Sequence, residues 1–136
     1  TNIADVAKAV EAAGADVICA INTVGPGMLI DINARRPLLS NRVGGVSGPA
    51  IKPVAVRCVY DIYRAVKIPI IGTGGIVNAE GAMEMMMAGA VAVGIGSAIY
   101  YEGMGAFKKI TSGIEQYLKE KNISSLQEII GSAHEK

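Results

Sequence analysis

In Pro69-Ile70-Ile71-Gly72-Thr73-Gly74-Gly75, a short apolar run ends in closely spaced glycines. Further along the chain, Ala92-Val93-Gly94-Ile95-Gly96-Ser97 repeats that pattern. A continuous apolar run bounded by glycine is typical of a strand that is covered on both faces of a parallel sheet. Strand–turn–helix units roughly 20 to 25 residues apart favour a (β/α)8 barrel over an open sheet. The repeat therefore predicts an α/β fold built on parallel strands.

The remaining elements extend this pattern in both directions. A third buried strand is predicted at residues 16–21, and a small β-ribbon is predicted where residues 28–32 and 38–39 flank a turn. The rest of the segment 22–48 is predicted to be irregular. Helical periodicity covers residues 6–13, 54–66, 79–88 and 106–118, and a capping box at Ser125-Leu126-Gln127-Glu128 opens a short final helix.

The length of the chain limits how much of a barrel it can form. A complete barrel takes about 250 residues, whereas this chain has 136. We therefore expect residues 1–136 to be a single partial domain, the C-terminal part of a TIM barrel with about three βα units. On this interpretation the chain is a fragment or a cleavage product of a longer enzyme.

Composition excludes several classes of protein. Lys and Arg number 13 and Asp and Glu 12, for a net charge of +1, so a nucleic-acid binder is not expected. No apolar run reaches the roughly 18 residues that a membrane-spanning helix needs. The 2 cysteines are too few for a disulfide framework or a zinc site, and no other metal motif is present. These features predict a cytoplasmic protein without a metal centre.

The two glycine clusters are the candidate ligand site. Gly74-Gly75 and Gly96-Ser97 each follow a predicted strand, where the loops after the last two strands of a barrel often bind phosphate. A phosphate accepts several backbone N–H bonds, and a side chain at such a position would hold it away. The alternative is that these glycines only allow strand, loop and helix to pack closely.

Two further candidate sites are predicted, one at the end of a strand and the other just before a helix. Asn22 and Thr23 come directly after the apolar strand that ends at Ile21, and an amide that both donates and accepts suits a pyrimidine ring. The alternative is a turn closed by the Asn22 side chain. Gly48 either presents its backbone to a flat ligand or relieves strain before the long helix.

Other conspicuous residues favour structural roles. Cys58 lies on an apolar helical stripe and is expected in the core. Helix core and subunit packing are favoured over a cofactor site for the methionines Met83, Met85, Met86 and Met87. Cys19 lies inside a strand without a nearby histidine, so it is not expected to be a nucleophile. His134 is expected to be solvated in a frayed tail. The pair Arg35-Arg36 is expected to be a solvated or interface pair on the ribbon.

The order of these motifs resembles dihydroorotate dehydrogenase. The resemblance rests on five segments, in chain order: Ile21-Asn22-Thr23, Met28-Leu29-Ile30-Asp31, Gly44-Gly45-Val46-Ser47-Gly48-Pro49-Ala50-Ile51-Lys52-Pro53, Ile71-Gly72-Thr73-Gly74-Gly75-Ile76 and Val93-Gly94-Ile95-Gly96-Ser97-Ala98. It runs from Ile3 to the end of the chain. The third segment is the most specific, and together with Ile21-Asn22-Thr23 it is more similar to the branch that pairs with an iron–sulfur flavoprotein subunit.

This resemblance implies oxidation of dihydroorotate to orotate by FMN, a step of de novo pyrimidine (UMP) biosynthesis. It assigns the FMN phosphate to Gly74, Gly75, Gly96 and Ser97, places Ile21 and Gly48 against the flavin, and gives the substrate ring to Asn22 and Thr23. It also implies a homodimer and an electron-transfer subunit carrying FAD and a 2Fe–2S cluster.

The resemblance places the catalytic base, a Cys or Ser on a loop, in the N-terminal part of the barrel, which this chain does not contain. We therefore expect no catalytic residue in the chain and no activity from the chain alone. The loop at residues 24–28 is one residue longer than is usual in the family, so the ribbon that covers the site is expected to differ.

Two other functions fit the same residues. Another FMN-dependent barrel oxidoreductase, similar to dihydropyrimidine dehydrogenase, would use Asn22 and Thr23 in the same way. A non-catalytic phosphate-binding module would use only the glycine clusters.

Overall fold

Three short parallel strands form the central sheet of the computed structural model, which describes residues 2–134. The strands of the chain are β1 (Ile18–Ala20), β2 (Val24–Gly27), β3 (Ile30–Asp31), β4 (Arg36–Pro37), β5 (Gly44–Val46), β6 (Ile70–Thr73) and β7 (Ala92–Gly94). The helices are α1 (Ile3–Ala12), α2 (Lys52–Ala65), α3 (Ala79–Met87), α4 (Ser97–Glu102) and α5 (Gly105–Glu120), with 3-10 turns at Pro49–Ile51 and Leu126–Glu128.

The central sheet has the order β1-β6-β7, with β6 parallel to both neighbours. Cys19 is in register with Ile71, and Thr73 is in register with Gly94. Because all three strands run in the same direction, their carboxyl ends meet at one edge of the sheet. The predicted parallel α/β arrangement is confirmed.

The core lies between this sheet and the helices α2, α3 and α5. Val59 and Ile62 of α2 and Ile70 of β6 are almost completely buried, and each contributes about 1.5–3 kcal/mol through removal of its side chain from water. Cys58 and the methionines Met83, Met85 and Met86 are also buried, which confirms that they are core residues. Gly72 of β6 has no side chain because the Met85 side chain occupies that space.

The segment between β1 and α2 contains two ribbons rather than the single one predicted. β3 pairs with β4 in an antiparallel hairpin, which confirms the predicted ribbon. Asp31 closes its turn by accepting hydrogen bonds from the backbone N–H groups of Asn33 and Ala34, both at 2.9 Å. β2 pairs with β5 in a stretch predicted to be irregular, because its glycines have low strand propensity and give no alternating pattern.

A capping box fixes the start of the last turn, as predicted. Ser125 caps the 3-10 turn, and the Glu128 carboxylate accepts hydrogen bonds from the Ser124 hydroxyl at 2.7 Å and the Ser125 N–H at 3.1 Å. The Ser124 hydroxyl, followed by backbone N–H groups, lowers the pKa of Glu128. The element is a 3-10 turn of Leu126–Glu128 instead of a helix, and it leads into the buried Ile129.

The prediction that His134 is solvated is wrong. The backbone N–H groups of Gly131 and Ala133 donate to carbonyls in the last turn of α3, at 3.0 and 3.1 Å. The His134 ring then stacks on Tyr60 with ring centroids 3.8 Å apart, and its Nε2 lies 2.9 Å from the carbonyl oxygen of Ala88. These partners are distant in sequence, so an isolated histidine near the terminus gives no signal of the contact.

We expect His134→Ala to lower the free energy of unfolding by about 1–3 kcal/mol, because the variant loses an aromatic stack and a hydrogen bond. Urea unfolding measures the change. Ser132→Ala is the matched control, since Ser132 is exposed in the same segment. If the two variants are equally stable, the contacts of the His134 side chain do not contribute to the free energy of unfolding.

None of the helices within residues 2–134 is long and apolar enough to cross a membrane.

Candidate functional site

The carboxyl ends of the three central strands open into a cavity of about 570 Å³. All of the site residues predicted from the sequence line this cavity except Gly48, namely Ile21, Asn22, Thr23, Gly74, Gly75, Gly96 and Ser97. They come from three separate turns of the chain. The structure therefore brings together groups that the sequence could only place after successive strands.

The turn between β6 and α3 needs its glycines for packing. Gly74 and Gly75 have φ values of +135° and +71°, a region that residues with a Cβ rarely adopt. A Cβ at Gly75 would lie 2.6 Å from the carbonyl oxygen of Gly48 and 2.8 Å from the backbone nitrogen of Lys52. A Cβ at Gly74 would lie 2.6 Å from the Ala55 side chain. Close packing against α2 is thus sufficient to explain both glycines.

Gly96, in the turn between β7 and α4, is different. Its φ of −116° is negative and lies outside the region that favours glycine. A Cβ built at this position would meet no heavy atom within 4 Å, although the residue lines the cavity. Neither a positive φ nor packing within residues 2–134 accounts for a glycine here. A ligand bound in the cavity would therefore meet a position without a side chain.

Asn22 and Thr23 follow β1 and are both exposed. The Asn22 side-chain oxygen accepts a hydrogen bond from the Thr23 N–H at 2.7 Å, which is the local turn that the sequence left open as an alternative. That bond uses only part of the amide, whose NH₂ group has no hydrogen-bond partner among the described residues. The Thr23 side chain lies over Gly45 of β5, where a Cβ would collide with it.

Gly48 lies directly behind the cavity wall. It is buried, and its φ of +92° favours glycine. A Cβ at this position would lie 3.4 Å from the Tyr101 hydroxyl and 4.0 Å from the Ser97 hydroxyl. Its backbone is therefore next to two hydroxyl groups that line the cavity, and its contact with a flavin stays a prediction.

Sequence reasoning missed several residues that line the cavity. Ser47 and Thr73 contribute hydroxyl groups, and Tyr100 and Tyr101 stand on α4 with their rings edge to face, 5.4 Å between centroids. α4 has only 6 residues, too few for an apolar periodicity to be recognised, and the sequence does not predict it. Tyr100 on this helix is 88% exposed. Ser47 directly precedes Gly48 in the most specific segment of the resemblance, residues 44–53. That position is the sequence signal that could have identified it as a cavity residue.

The cavity is lined by few ionisable side chains. Among the residues that line it in the described part of the chain, only Tyr100 and Tyr101 have ionisable side chains. The Cys19 thiol lies outside the cavity lining, 3.7 Å from the Thr73 hydroxyl. Cys19 is also exposed, so the expectation of a strand covered on both faces is wrong at this residue.

Comparison with known proteins decides between the families that such a site allows. The family model for dihydroorotate dehydrogenase matches residues 1–118. The chain belongs to the dihydroorotate dehydrogenase family. The predicted resemblance is therefore confirmed over most of the chain.

Individual dihydroorotate dehydrogenases support this assignment. The catalytic subunit of dihydroorotate dehydrogenase B (NAD(+)) from Methanothermobacter thermautotrophicus is 52% identical over 135 residues, covering 99% of this chain and 45% of that protein. The corresponding subunit from Methanosarcina acetivorans is 53% identical over 137 residues, covering 98% of the chain and 43% of that protein. This chain thus spans less than half the length of these relatives.

A solved dihydroorotate dehydrogenase has the same fold. The enzyme from Eimeria tenella in complex with ferulenol superimposes with a TM-score of 0.80 at 26% sequence identity, over 98% of this chain and 35% of that one. The three βα units thus correspond to part of a larger dihydroorotate dehydrogenase structure, which confirms the predicted partial barrel.

Proposed function

We propose that this chain supplies the FMN-phosphate end and part of the substrate site of a dihydroorotate dehydrogenase, which oxidises dihydroorotate to orotate in pyrimidine biosynthesis. The observation that carries this proposal is the open position at Gly96. The residue lines the cavity, yet nothing in the described protein explains its missing side chain. The names of the relatives, catalytic subunits of dihydroorotate dehydrogenase B, support the choice of this reaction.

The residues present fit the phosphate of FMN. Gly74, Gly75 and Gly96 line one cavity without side chains that would obstruct an anion, and Ser97 adds a hydroxyl donor. Backbone N–H groups in such glycine turns bind phosphate oxygens well. Gly48 and Ile21 would lie against the flavin ring. Bound FMN would supply the hydride acceptor for the reaction.

Asn22 and Thr23 would hold the pyrimidine ring of the substrate. The NH₂ group of Asn22 can donate to a ring carbonyl, while the Thr23 hydroxyl can donate or accept. The hydrogen bond from the Thr23 N–H to the Asn22 oxygen, at 2.7 Å, fixes the orientation of the amide. Such preorganisation places the substrate without loss of side-chain freedom on binding.

We expect Asn22→Ala to weaken orotate binding by about 1–3 kcal/mol, because ring polar groups in the closed site lose their partner. Titration of the flavin absorbance with orotate in the complete protein measures the affinity. Asn41→Ala is the control, since Asn41 is exposed and does not line the cavity. Unchanged orotate affinity in Asn22→Ala would contradict the substrate role.

Proton removal from the substrate carbon needs a base that these residues do not supply. The cavity lining in residues 2–134 contains no histidine, carboxylate, lysine or cysteine and offers only the phenols of Tyr100 and Tyr101 as ionisable groups, whereas general bases are most often histidine or a carboxylate. We infer that the base belongs to the remainder of the barrel.

We also propose that the complete protein is a cytoplasmic homodimer. We propose further that it pairs with an electron-transfer subunit carrying FAD and a 2Fe–2S cluster.

Reduction of the flavin by alternative substrates tests the function. The complete protein, kept anaerobic, should lose its flavin absorbance on addition of dihydroorotate and should respond far less to dihydrouracil, which lacks the carboxylate. Reduction by dihydrouracil alone would favour the enzyme similar to dihydropyrimidine dehydrogenase. A flavin that responds to neither substrate would contradict both assignments.

A further inference from the structure

The first residue of α2 joins the glycine turn of the cavity to α3. The backbone nitrogen and Cβ of Lys52 lie 2.8 and 2.9 Å from the position that a Cβ at Gly75 would occupy. Lys52 is therefore in direct contact with the Gly74-Gly75 turn. Its aliphatic stem continues along α3, with Cδ 3.4 Å from the corresponding position at Gly81.

The Lys52 ammonium group forms an ion pair with the carboxylate of Glu84, in the middle of α3. Nζ lies 2.8 Å from one carboxylate oxygen and 2.7 Å from the other. The two side chains are 28% and 49% exposed, so the pair is only partly screened by water. Of the three ion pairs in the described part of the chain, the other two lie within α2 or between the consecutive helices α4 and α5. Lys52–Glu84 alone joins helices that are separated by a strand.

The glycine turn depends on such neighbours for its position. Gly74 and Gly75 have no side chains with which to anchor themselves, and both adopt positive φ. The turn lies between the start of α2, which contacts it through Lys52, and the start of α3, where Asn78 caps the helix by accepting from the Gly81 N–H at 2.9 Å. A connection between α2 and α3 therefore holds both sides of the turn.

We propose that Lys52 and Glu84 are positioning residues for the FMN phosphate: their ion pair holds the Gly74-Gly75 turn in the conformation that binds the anion. This inference rests on the proposed FMN site. Lys52 does not line the cavity, and its charge is directed to Glu84, so it acts through the turn and makes no contact with the phosphate.

Flavin affinities of the complete apoprotein test the proposal, with FMN and riboflavin compared so that the phosphate is the only difference. Lys52→Met and Glu84→Gln should each weaken FMN binding by about three- to tenfold, and riboflavin binding should change less than about twofold. The double variant should be no worse than either single one, because both remove the same interaction. Lys52→Arg should retain FMN affinity, since a guanidinium group can also reach the carboxylate.

Arg57→Met and Asp61→Asn form the matched control. These residues are an ion pair on α2 at 2.7 Å, and the substitutions change the charge in the same way at a site remote from the cavity. They should leave both flavin affinities unchanged. The melting temperature of each apoprotein is measured in parallel, so that a loss of stability is separated from a loss of phosphate affinity.

Three results would overturn the inference. Equal weakening of FMN and riboflavin would show a general packing role, and lowered melting temperatures with unchanged affinities would show a purely structural one. Weakened FMN binding in Lys52→Met but not in Glu84→Gln would show that the lysine charge attracts the phosphate without the pair. A failure of the proposed function itself would be distinguishable from these three results. In that case the unsubstituted protein would bind FMN no more tightly than riboflavin.

Discussion

Replacing Gly96 with valine should abolish FMN retention and leave the protein folded. The position has an ordinary φ of −116°, and a Cβ would meet no heavy atom within 4 Å. Because Gly96 lines the cavity, we expect the valine methyl groups to narrow the space proposed for the phosphate. If the phosphate is displaced, it loses the charge-assisted hydrogen bonds proposed for the glycine turns, and a loss of about 3 kcal/mol corresponds to a decrease in FMN affinity of about 100-fold.

Fluorescence of released flavin and thermal melting of the apoprotein measure the two effects separately. Gly105→Val is the matched control, because a Cβ there also meets no heavy atom within 4 Å but the residue lies outside the cavity lining. Gly75 would be a poorer choice, since its φ of +71° and its contact with Gly48 make any side chain disruptive. A folded Gly96→Val protein with stoichiometric flavin would show that the phosphate binds elsewhere.

The site at the end of the sheet was predictable because it follows from local patterns. Apolar runs that end in glycine mark parallel strands, and the carboxyl ends of parallel strands meet at one edge. Gly74, Gly96 and Asn22 could therefore be assigned to one place before their distances were known. The core position of Cys58 followed in the same way from helical spacing.

Contacts between elements that are remote in sequence were not predictable. The Lys52–Glu84 pair spans 32 positions, and each residue alone is an ordinary charged side chain on a helix. His134 contacts Ala88, 46 positions away, and its packing depends on how the tail returns to α3. The same holds for the distinction among the glycines: the sequence shows a glycine at both Gly75 and Gly96, but only the neighbouring atoms reveal which one packing requires.

A polypeptide of residues 1–136 with added FMN should show no oxidation of dihydroorotate. Within residues 2–134, the cavity lining offers only the phenols of Tyr100 and Tyr101 as ionisable groups, and loss of a general base typically slows a reaction about 10²- to 10⁴-fold. Anaerobic bleaching of the flavin by dihydroorotate measures the reaction. Intact mass must first establish that no additional segment accompanies the polypeptide.

The edges of the central sheet indicate what would restore activity. Within the described residues 2–134, β1 and β7 each pair with β6 alone, and Val17 and Val91 beside these strands are 45% and 46% exposed. Unpaired strand edges with apolar neighbours favour association with further strands, which we propose are those of the remaining barrel. Supplying that remainder, as the complete protein or by refolding the two parts together, should restore flavin binding and bleaching in parallel. Bleaching by the isolated polypeptide at the rate of the complete protein would mean that the base lies within residues 1–136. If flavin binding returns without bleaching, the phosphate site is complete but dihydroorotate is not oxidised. This result would contradict the proposed reaction and leave the proposed phosphate site intact.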